Sequence, residues 1–163
     1  LNATDESNGS VMLSLPILNQ DYEAIETMLD HDSIVMGLAD AGAHVGQIMD
    51  SSQPTYFLSH WVRDTGYFTI EEGIRRITSD TADLFGLKNR GRLVEGAYAD
   101  INVIDWNNLS LSGPEYVHDF PGGAGRYIQR GAGYDATVVN GELFMQNGEH
   151  TGALAGVTLR SND

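Results

Sequence analysis

Asp40 and His44, four residues apart, are the first candidates for chemistry in this sequence. Asp40 follows an apolar run, residues 34–39, whose length and turn-like flanks are typical of a buried parallel strand. In barrels of alternating strands and helices, catalytic groups collect at the carboxyl ends of the strands. A carboxylate at such an end could belong to a hydrolytic site, and Gly42 allows a close backbone approach. The alternative is a structural aspartate that caps a turn or a helix.

Other kinds of site find little support in the residue types. The chain has no cysteine, which excludes disulfides, thiolate ligands and a cysteine nucleophile. Residues 121–125 are rich in glycine but lack the lysine of a phosphate-binding loop. The histidines, which lack the spacing of a metal-binding motif, are His31, His44, His60, His118 and His150. We therefore expect no metal site built from this chain alone.

The charge of the chain restricts its partners. There are 23 acidic and 9 basic residues, a formal net charge of −14, and Arg63 is the first basic side chain. Such a surface repels phosphate backbones, so we expect no nucleic-acid partner. The sequence has no apolar stretch long enough to span a bilayer and no signal-like core at its start. We accordingly expect no membrane association and a cytoplasmic protein.

Residues 1–90 alternate between predicted helix and buried strand, the pattern of a parallel α/β sheet. Pro54 suits the first turn of a helix, and the segment Thr69-Ile70-Glu71-Glu72 is a capping box. The predicted helices cover residues 21–31, 54–64, 70–77 and 80–85, and the predicted strands cover residues 11–18 and 34–39. This half of the chain is therefore expected to be mostly helical.

The apolar period changes near Arg90, and residues 91–163 are expected to form sheet. Asn140-Gly141 is the strongest short hairpin signal in the chain, because both residues tolerate the positive φ of a tight turn. The predicted strands cover residues 91–94, 99–105, 136–139 and 143–146. Residues 106–133 are expected to form a long loop, which is either functional, packed against a neighbour or flexible.

Several segments together carry a family resemblance. Gly37-Leu38-Ala39-Asp40-Ala41-Gly42-Ala43-His44-Val45-Gly46 and residues 90–105 resemble the carboxy-terminal part of N-acyl-D-amino-acid deacylases of the D-aminoacylase type, within the amidohydrolase superfamily. Further similar segments are Pro54-Thr55-Tyr56, residues 81–87, His118-Asp119-Phe120-Pro121, Val138-Val139-Asn140-Gly141 and Thr151-Gly152-Ala153. The similarity extends from about residue 11 to residue 160, nearly the whole chain. Ala39 stands where these proteins often have serine.

The resemblance implies an α/β fold: the last strand and helices of a metal-dependent (β/α)₈ barrel in residues 1–90, and part of a small β-sandwich in residues 91–163. It assigns Asp40 to the end of barrel strand 8, as the general base and as a metal contact. Zinc would lower the pKa of its bound water towards about 7, and the carboxylate would take the proton. His44 is either a substrate contact beside Asp40 or an ordinary loop histidine.

The resemblance also implies that most of the site lies elsewhere. The other metal ligands belong to earlier barrel strands, and a complete barrel takes about 250 residues. We therefore expect a carboxy-terminal fragment that is inactive and metal-free on its own. The substrate of the parent would be an N-acyl-D-amino acid. The alternatives are a cyclic-amide or peptide hydrolase of the same superfamily, or a non-catalytic interaction module that self-associates through exposed apolar faces.

Overall fold

The structure, a computed structural model, describes residues 18–37, 39–46 and 48–160, together with Glu6. The chain divides into two compact units, Leu1–Val35 and Met36–Asp163. The helices are α1 (Tyr22–Leu29), α2 (Gln53–Tyr56), a π-helix (Phe57–Asp64), α3 (Ile70–Ile77), α4 (Ser79–Leu84) and a 3₁₀ turn (Pro121–Gly123). The strands are β1 (Ile101–Ile104), β2 (Ser110–Leu111), β3 (Glu115–Val117), β4 (Arg126–Ile128), β5 (Gly131–Ala132), β6 (Tyr134–Val139), β7 (Glu142–Gln146) and β8 (Glu149–His150). None of the helices in these ranges combines the length and the apolar composition that a membrane-spanning segment requires.

The first unit contains α1, which confirms the helix predicted over residues 21–31. Asp21 caps it, because one carboxylate oxygen accepts hydrogen bonds from the backbone amides of Glu23 and Ala24 at 3.0 and 3.3 Å. The cap explains why the helix begins at Tyr22. The strand predicted over residues 11–18 falls almost entirely outside the described residues.

The strand predicted over residues 34–39 is wrong for the part of that segment that the structure describes. Residues 34–37 and 39 have irregular backbone, and Asp40 follows them without a regular element. A parallel strand exists only through hydrogen bonds to a neighbouring strand. None of the strand ladders formed by the described residues includes this segment, so its apolar run has no partner that would fix it as a strand.

The helices of the second unit enclose the largest group of buried side chains. The helix predicted over residues 54–64 is confirmed, but its last eight residues are wound as a π-helix, a rare form. The buried apolar residues here are Phe57, Leu58, Trp61, Val62 and Phe68. α3 is also confirmed, and its Thr69 cap accepts from the Glu72 amide at 3.2 Å. The α3 helix lies so close to the π-helix that Gly73 is in contact with Val62.

Replacing Gly73 by alanine is expected to lower the free energy of unfolding. The new Cβ would lie 2.5 Å from Cγ2 of Val62, and overpacking of this kind costs about 1–3 kcal/mol. Alanine gains about 1 kcal/mol of helix propensity over glycine, so we expect a net loss of about 1 kcal/mol. In a Val62→Ala background the clash disappears, and Gly73→Ala should then stabilise the protein. Urea unfolding of wild type, Gly73→Ala, Val62→Ala and the double variant measures this change of sign. If the effect of Gly73→Ala has the same sign in both backgrounds, close packing between α3 and the π-helix is contradicted.

The sheet of the second unit has four antiparallel strands in the order β1-β6-β7-β8. The predicted hairpin is confirmed: β6 and β7 are joined by Asn140 and Gly141, with φ values of 49° and 87°. The Asn140 side chain also accepts a hydrogen bond from Arg90 Nη2 at 2.9 Å, and Arg90 forms an ion pair with Asp100. The turn is therefore tied to the segment that precedes β1.

Two expectations for this half are wrong. Residues 91–94 carry no strand, and only residues 101–104 of the segment 99–105 pair, antiparallel to β6. Residues 106–133 are not a structureless loop, since β2 pairs with β5 and β3 pairs with β4. Each of these ladders is only two or three residues long, too short for a periodicity that could be detected in the sequence. A single four-stranded sheet is one layer, so the β-sandwich itself remains a prediction.

Candidate functional site

Asp40 lies in a compact turn, residues 40–46, of the second unit. The Asp40 carbonyl accepts a hydrogen bond from the Ala43 amide at 2.9 Å. The Gly42 amide donates to the Ile48 carbonyl, also at 2.9 Å, and this second hydrogen bond closes the turn. Gly42 has a φ of 89°, a conformation that favours glycine. The Asp40 residue is exposed, and among the described residues its carboxylate has no hydrogen-bond or ion-pair partner. The carboxylate is therefore free to meet water or a ligand.

His44 and Val45 occupy the top of this turn in left-handed backbone conformations. Their φ values are 53° and 57°, and both residues are exposed. For a β-branched residue such as Val45, this conformation is an outlier that costs on the order of 1–3 kcal/mol. A strained turn persists only where its surroundings hold it, so the contacts at its far end matter for the position of Asp40.

The far end of the turn contacts a second loop, residues 118–127, whose last two residues are the first two residues of β4. The Tyr127 amide donates to the Gly46 carbonyl at 3.0 Å. A Cβ on Gly46 would lie 3.0 Å from the Gly125 carbonyl oxygen, tighter than nine in ten real Cβ contacts. Farther along, Ser52 Oγ donates to Gln129 Oε1 at 2.6 Å. The chain that leaves the Asp40 turn therefore lies against the β4 segment.

The loop at residues 118–127 is held by its own side chains. The Arg126 guanidinium donates to both carboxylate oxygens of Asp119, with the shortest distance 2.7 Å, and stacks over the Phe120 ring at 5.1 Å. His118 Nδ1 lies 2.9 Å from the Gly123 carbonyl oxygen. Gly125 faces Tyr116 so closely that a Cβ would be 2.5 Å from Cζ of the ring. These contacts define one shape for the loop.

The Asp119–Arg126 pair predicts a specific acid sensitivity. The Arg126 hydrogen bonds hold the pKa of Asp119 below its ordinary value of 3.8, and they raise the pKa of Arg126. Because the folded-state pKa is the lower one, the pair stabilises the fold above pH 3.8, and this contribution is lost as the pH falls below it. The difference in unfolding free energy between wild type and Asp119→Asn should therefore shrink from about pH 5 to about pH 3. Both side chains are more than a third exposed, so the difference should be small and salt-sensitive. A difference that grows towards low pH in urea titrations would contradict this.

The predicted site residues occupy one turn, but they do not form a complete site. Asp40 and His44 are both exposed, and no three His, Asp or Glu side chains converge on a metal-sized space within the described part of the chain. Two shallow cavities of about 200 and 250 Å³ lie in the second unit, and neither is lined by Asp40 or His44. The loop at residues 118–127 was predicted only as part of the long loop over residues 106–133, and none of its residues was selected as a site residue. Asp119 and Arg126, of opposite charge on either side of a glycine-rich turn, were the available signal.

The chain is similar to known proteins over a stretch that includes both the Asp40 turn and the loop at residues 118–127. The amidohydrolase family model matches residues 13–144. D-aminoacylase from Alcaligenes xylosoxydans xylosoxydans is 35% identical over 102 residues, which cover 63% of this chain and 19% of that protein. N-acyl-D-glutamate deacylase from the same organism is 41% identical over 51 residues, which cover 31% of this chain and 10% of that protein.

A solved structure of D-aminoacylase matches with a TM-score of 0.52 and 31% sequence identity. The match covers 63% of this chain and 20% of that chain, and D-aminoacylase has a binuclear metal centre. The chain thus spans at most about one fifth of the length of each of these relatives. The match to the family model includes the Asp40 turn and most of the described helices and strands.

Proposed function

The chain belongs to the amidohydrolase family, and from that premise we propose that it forms part of an enzyme that hydrolyses the amide bond of N-acyl-D-amino acids. The support for the substrate class is the similarity to D-aminoacylase and N-acyl-D-glutamate deacylase. Because the chain spans only a fraction of these relatives, the activity is proposed for the whole protein to which this chain contributes.

Asp40 is the proposed general base, and its exposed carboxylate without a partner among the described residues is the observation that carries this role. A water molecule attacks the amide carbonyl carbon while Asp40 accepts a proton from that water. The C–N bond then breaks, and Asp40 returns the proton to the leaving nitrogen. The products are a carboxylic acid and a free amino acid. Exposed His44, in the same turn, is a proposed contact to the substrate.

A metal cofactor is part of the proposal for the whole protein, with zinc as the ion that the resemblance implies. When bound, such an ion would acidify the attacking water and polarise the carbonyl. The described residues of this chain do not fit a complete metal site, since no three ligand side chains converge there. Asp40 would therefore contact the ion only together with ligands from other segments of the whole protein.

The proposed architecture places this chain at the end of a (β/α)₈ barrel. Residues 1–90 would contribute the last strand and helices, with residues 34–39 completing a strand once a neighbouring barrel strand supplies hydrogen bonds. Residues 91–163 would contribute the four-stranded sheet to a β-sandwich. Asp40 would then lie at the carboxyl end of the last strand, where catalytic groups of barrels collect.

A substrate panel tests the proposed function. The protein encoded by the complete reading frame that contains this sequence is supplied with zinc and assayed with N-acetyl-D-amino acids, N-acetyl-L-amino acids, cyclic amides and dipeptides. Release of free D-amino acid, with little turnover of the other substrates, is the expected result. Preferential opening of a cyclic amide or cleavage of a dipeptide would replace this proposal with another reaction of the family.

A second candidate function is self-association of the isolated chain as a non-catalytic module. Several large apolar side chains are strongly exposed, among them Leu93 at 80% and Leu154 at 88%. Exposed apolar surface of this kind favours association with a second copy. Light scattering over a range of protein concentrations tests this. A molar mass that rises with concentration supports self-association of the chain, and a monomer at high concentration contradicts it.

A further inference from the structure

We infer that the loop at residues 118–127 is a positioning element for Asp40, with Asp119 and Arg126 as the positioning residues. The inference rests on the proposed role of Asp40 as general base, and it assigns a task to a segment that the reaction itself does not use. Neither Asp119 nor Arg126 needs to touch the substrate. Their effect passes through Gly46 to the turn that carries the carboxylate.

The two loops meet through their backbones. The Gly46 carbonyl accepts from the Tyr127 amide at 3.0 Å, and the Gly46 Cα approaches the Gly125 carbonyl so closely that an added Cβ would be 3.0 Å from it. The nearest atoms to a Cβ on Gly46 are the Gly125 carbonyl oxygen and the Cα and Cβ of Arg126. We therefore expect a displacement of residues 125–127 to displace Gly46.

A forked ion pair joins the two ends of residues 118–127, in addition to the backbone pairing of β3 with β4. Arg126 lies between Gly125 and Tyr127, and its planar guanidinium is held by both oxygens of the Asp119 carboxylate and by the Phe120 ring. A fork of this kind fixes direction as well as distance. Together with the pairing of β3 and β4, Arg126 therefore helps to fix where the backbone that meets Gly46 lies.

Gly46 is connected back to Asp40 through a closed turn. The hydrogen bond from the Gly42 amide to Ile48 closes this turn, so Gly46 is enclosed within a short ring of chain. The left-handed residues His44 and Val45 lie inside this ring and would relax if its far end were released. Relaxation of these residues would move Asp40, which begins the turn.

Amide hydrogen exchange in this chain tests the positioning directly. Arg126→Gln and Gly46→Ala should accelerate exchange of the Gly42 and Tyr127 amides about 3- to 10-fold, as expected when a hydrogen bond is weakened. Arg126→Lys keeps the charge but loses the fork, and it should give an intermediate effect.

The chain offers matched controls for both changes. Arg92 forms an equally forked pair with Asp83, at 2.9 and 2.6 Å, and both side chains are more than a third exposed. Gly37 lies in the same segment as Gly46, with nothing within 4 Å of an added Cβ. Arg92→Gln and Gly37→Ala should leave exchange at Gly42 and Tyr127 unchanged. Equal exchange in all variants, or equal acceleration by the controls, would overturn the inference.

Kinetics of the complete protein separate positioning from stability. Arg126→Gln should lower kcat about 10- to 100-fold, the effect of moving a catalytic group by about 1 Å, while KM changes by less than about twofold. Arg92→Gln should leave kcat unchanged. If kcat falls equally in both variants, or if Arg126→Gln changes KM alone, the positioning role is wrong. If the wild-type protein does not hydrolyse N-acyl-D-amino acids, the proposed function fails, and the exchange experiment still decides the inference.

Discussion

Replacement of Asp40 by asparagine is expected to lower kcat/KM for N-acyl-D-amino acids by at least about 100-fold, because loss of a general base typically removes 100- to 10,000-fold. Asparagine has nearly the same shape but no longer accepts a proton. The carboxylate is exposed and has no partner among the described residues, so the substitution should leave the melting temperature unchanged. The measurement is the initial rate of free D-amino acid release by the complete protein.

Asp50→Asn is the matched control for this change. Asp50 is another exposed aspartate close in sequence, and it has no proposed role. Its replacement should leave kcat/KM within about twofold of wild type, a change of less than about 0.5 kcal/mol in barrier height. Full activity of Asp40→Asn, or an equal loss in both variants, would show that Asp40 is not the base.

Phe57→Ala is expected to destabilise the protein more than any of the other substitutions proposed above. The Phe57 side chain is 2% exposed, and its ring lies 5.6 Å from that of Phe68, centroid to centroid. Truncation of a buried phenylalanine to alanine typically costs about 3–5 kcal/mol, a large part of the stability of a typical domain. Urea unfolding followed by tryptophan fluorescence measures this loss, because Trp61 lies in the same cluster.

Phe85→Ala separates burial from residue type. Phe85 is the same kind of residue, but it is 71% exposed, so its truncation should change the unfolding free energy by less than about 0.5 kcal/mol. Similar losses in the two variants would mean that the helical cluster is not the core of this unit.

Local signals in the sequence predicted local structure well. The Asn140-Gly141 hairpin and the Thr69 cap each depend on a few consecutive residues, whose conformational preferences act without distant partners. The helix over residues 54–64 was likewise predicted from its proline start. Its π-helical winding was not, because that form carries no distinctive pattern of residues.

Structure that depends on distant partners was predicted poorly. The apolar run at residues 34–39 indicates a strand only if a neighbouring strand is available, and the described part of this segment has none. The short ladder between β3 and β4 pairs residues on either side of the glycine-rich turn at Pro121–Gly123. Neither result follows from periodicity, because strand pairing is decided by the whole fold.

The roles of Asp40 and His44 stay predictions, and the contact between their turn and a second loop was not predicted. Asp40 and His44 were selected from their own segment, and the structure places both on one exposed turn. The loop that contacts this turn is about eighty positions away along the chain, and its contact through Gly46 and Gly125 is between backbones. A contact between backbone atoms places little constraint on residue type, so the glycines at positions 46 and 125 were the only sign of it in these two segments.

The most direct test of Asp40 as general base compares single-turnover hydrolysis by the complete wild-type protein and its Asp40→Asn variant at equal metal content. N-acetyl-D-amino acid is mixed with excess enzyme, and free amine is measured over time. We expect wild type to convert the substrate while the variant, with unchanged substrate affinity, does so at least about 100-fold more slowly. Equal single-turnover rates at equal metal content would contradict the role of Asp40 as the base.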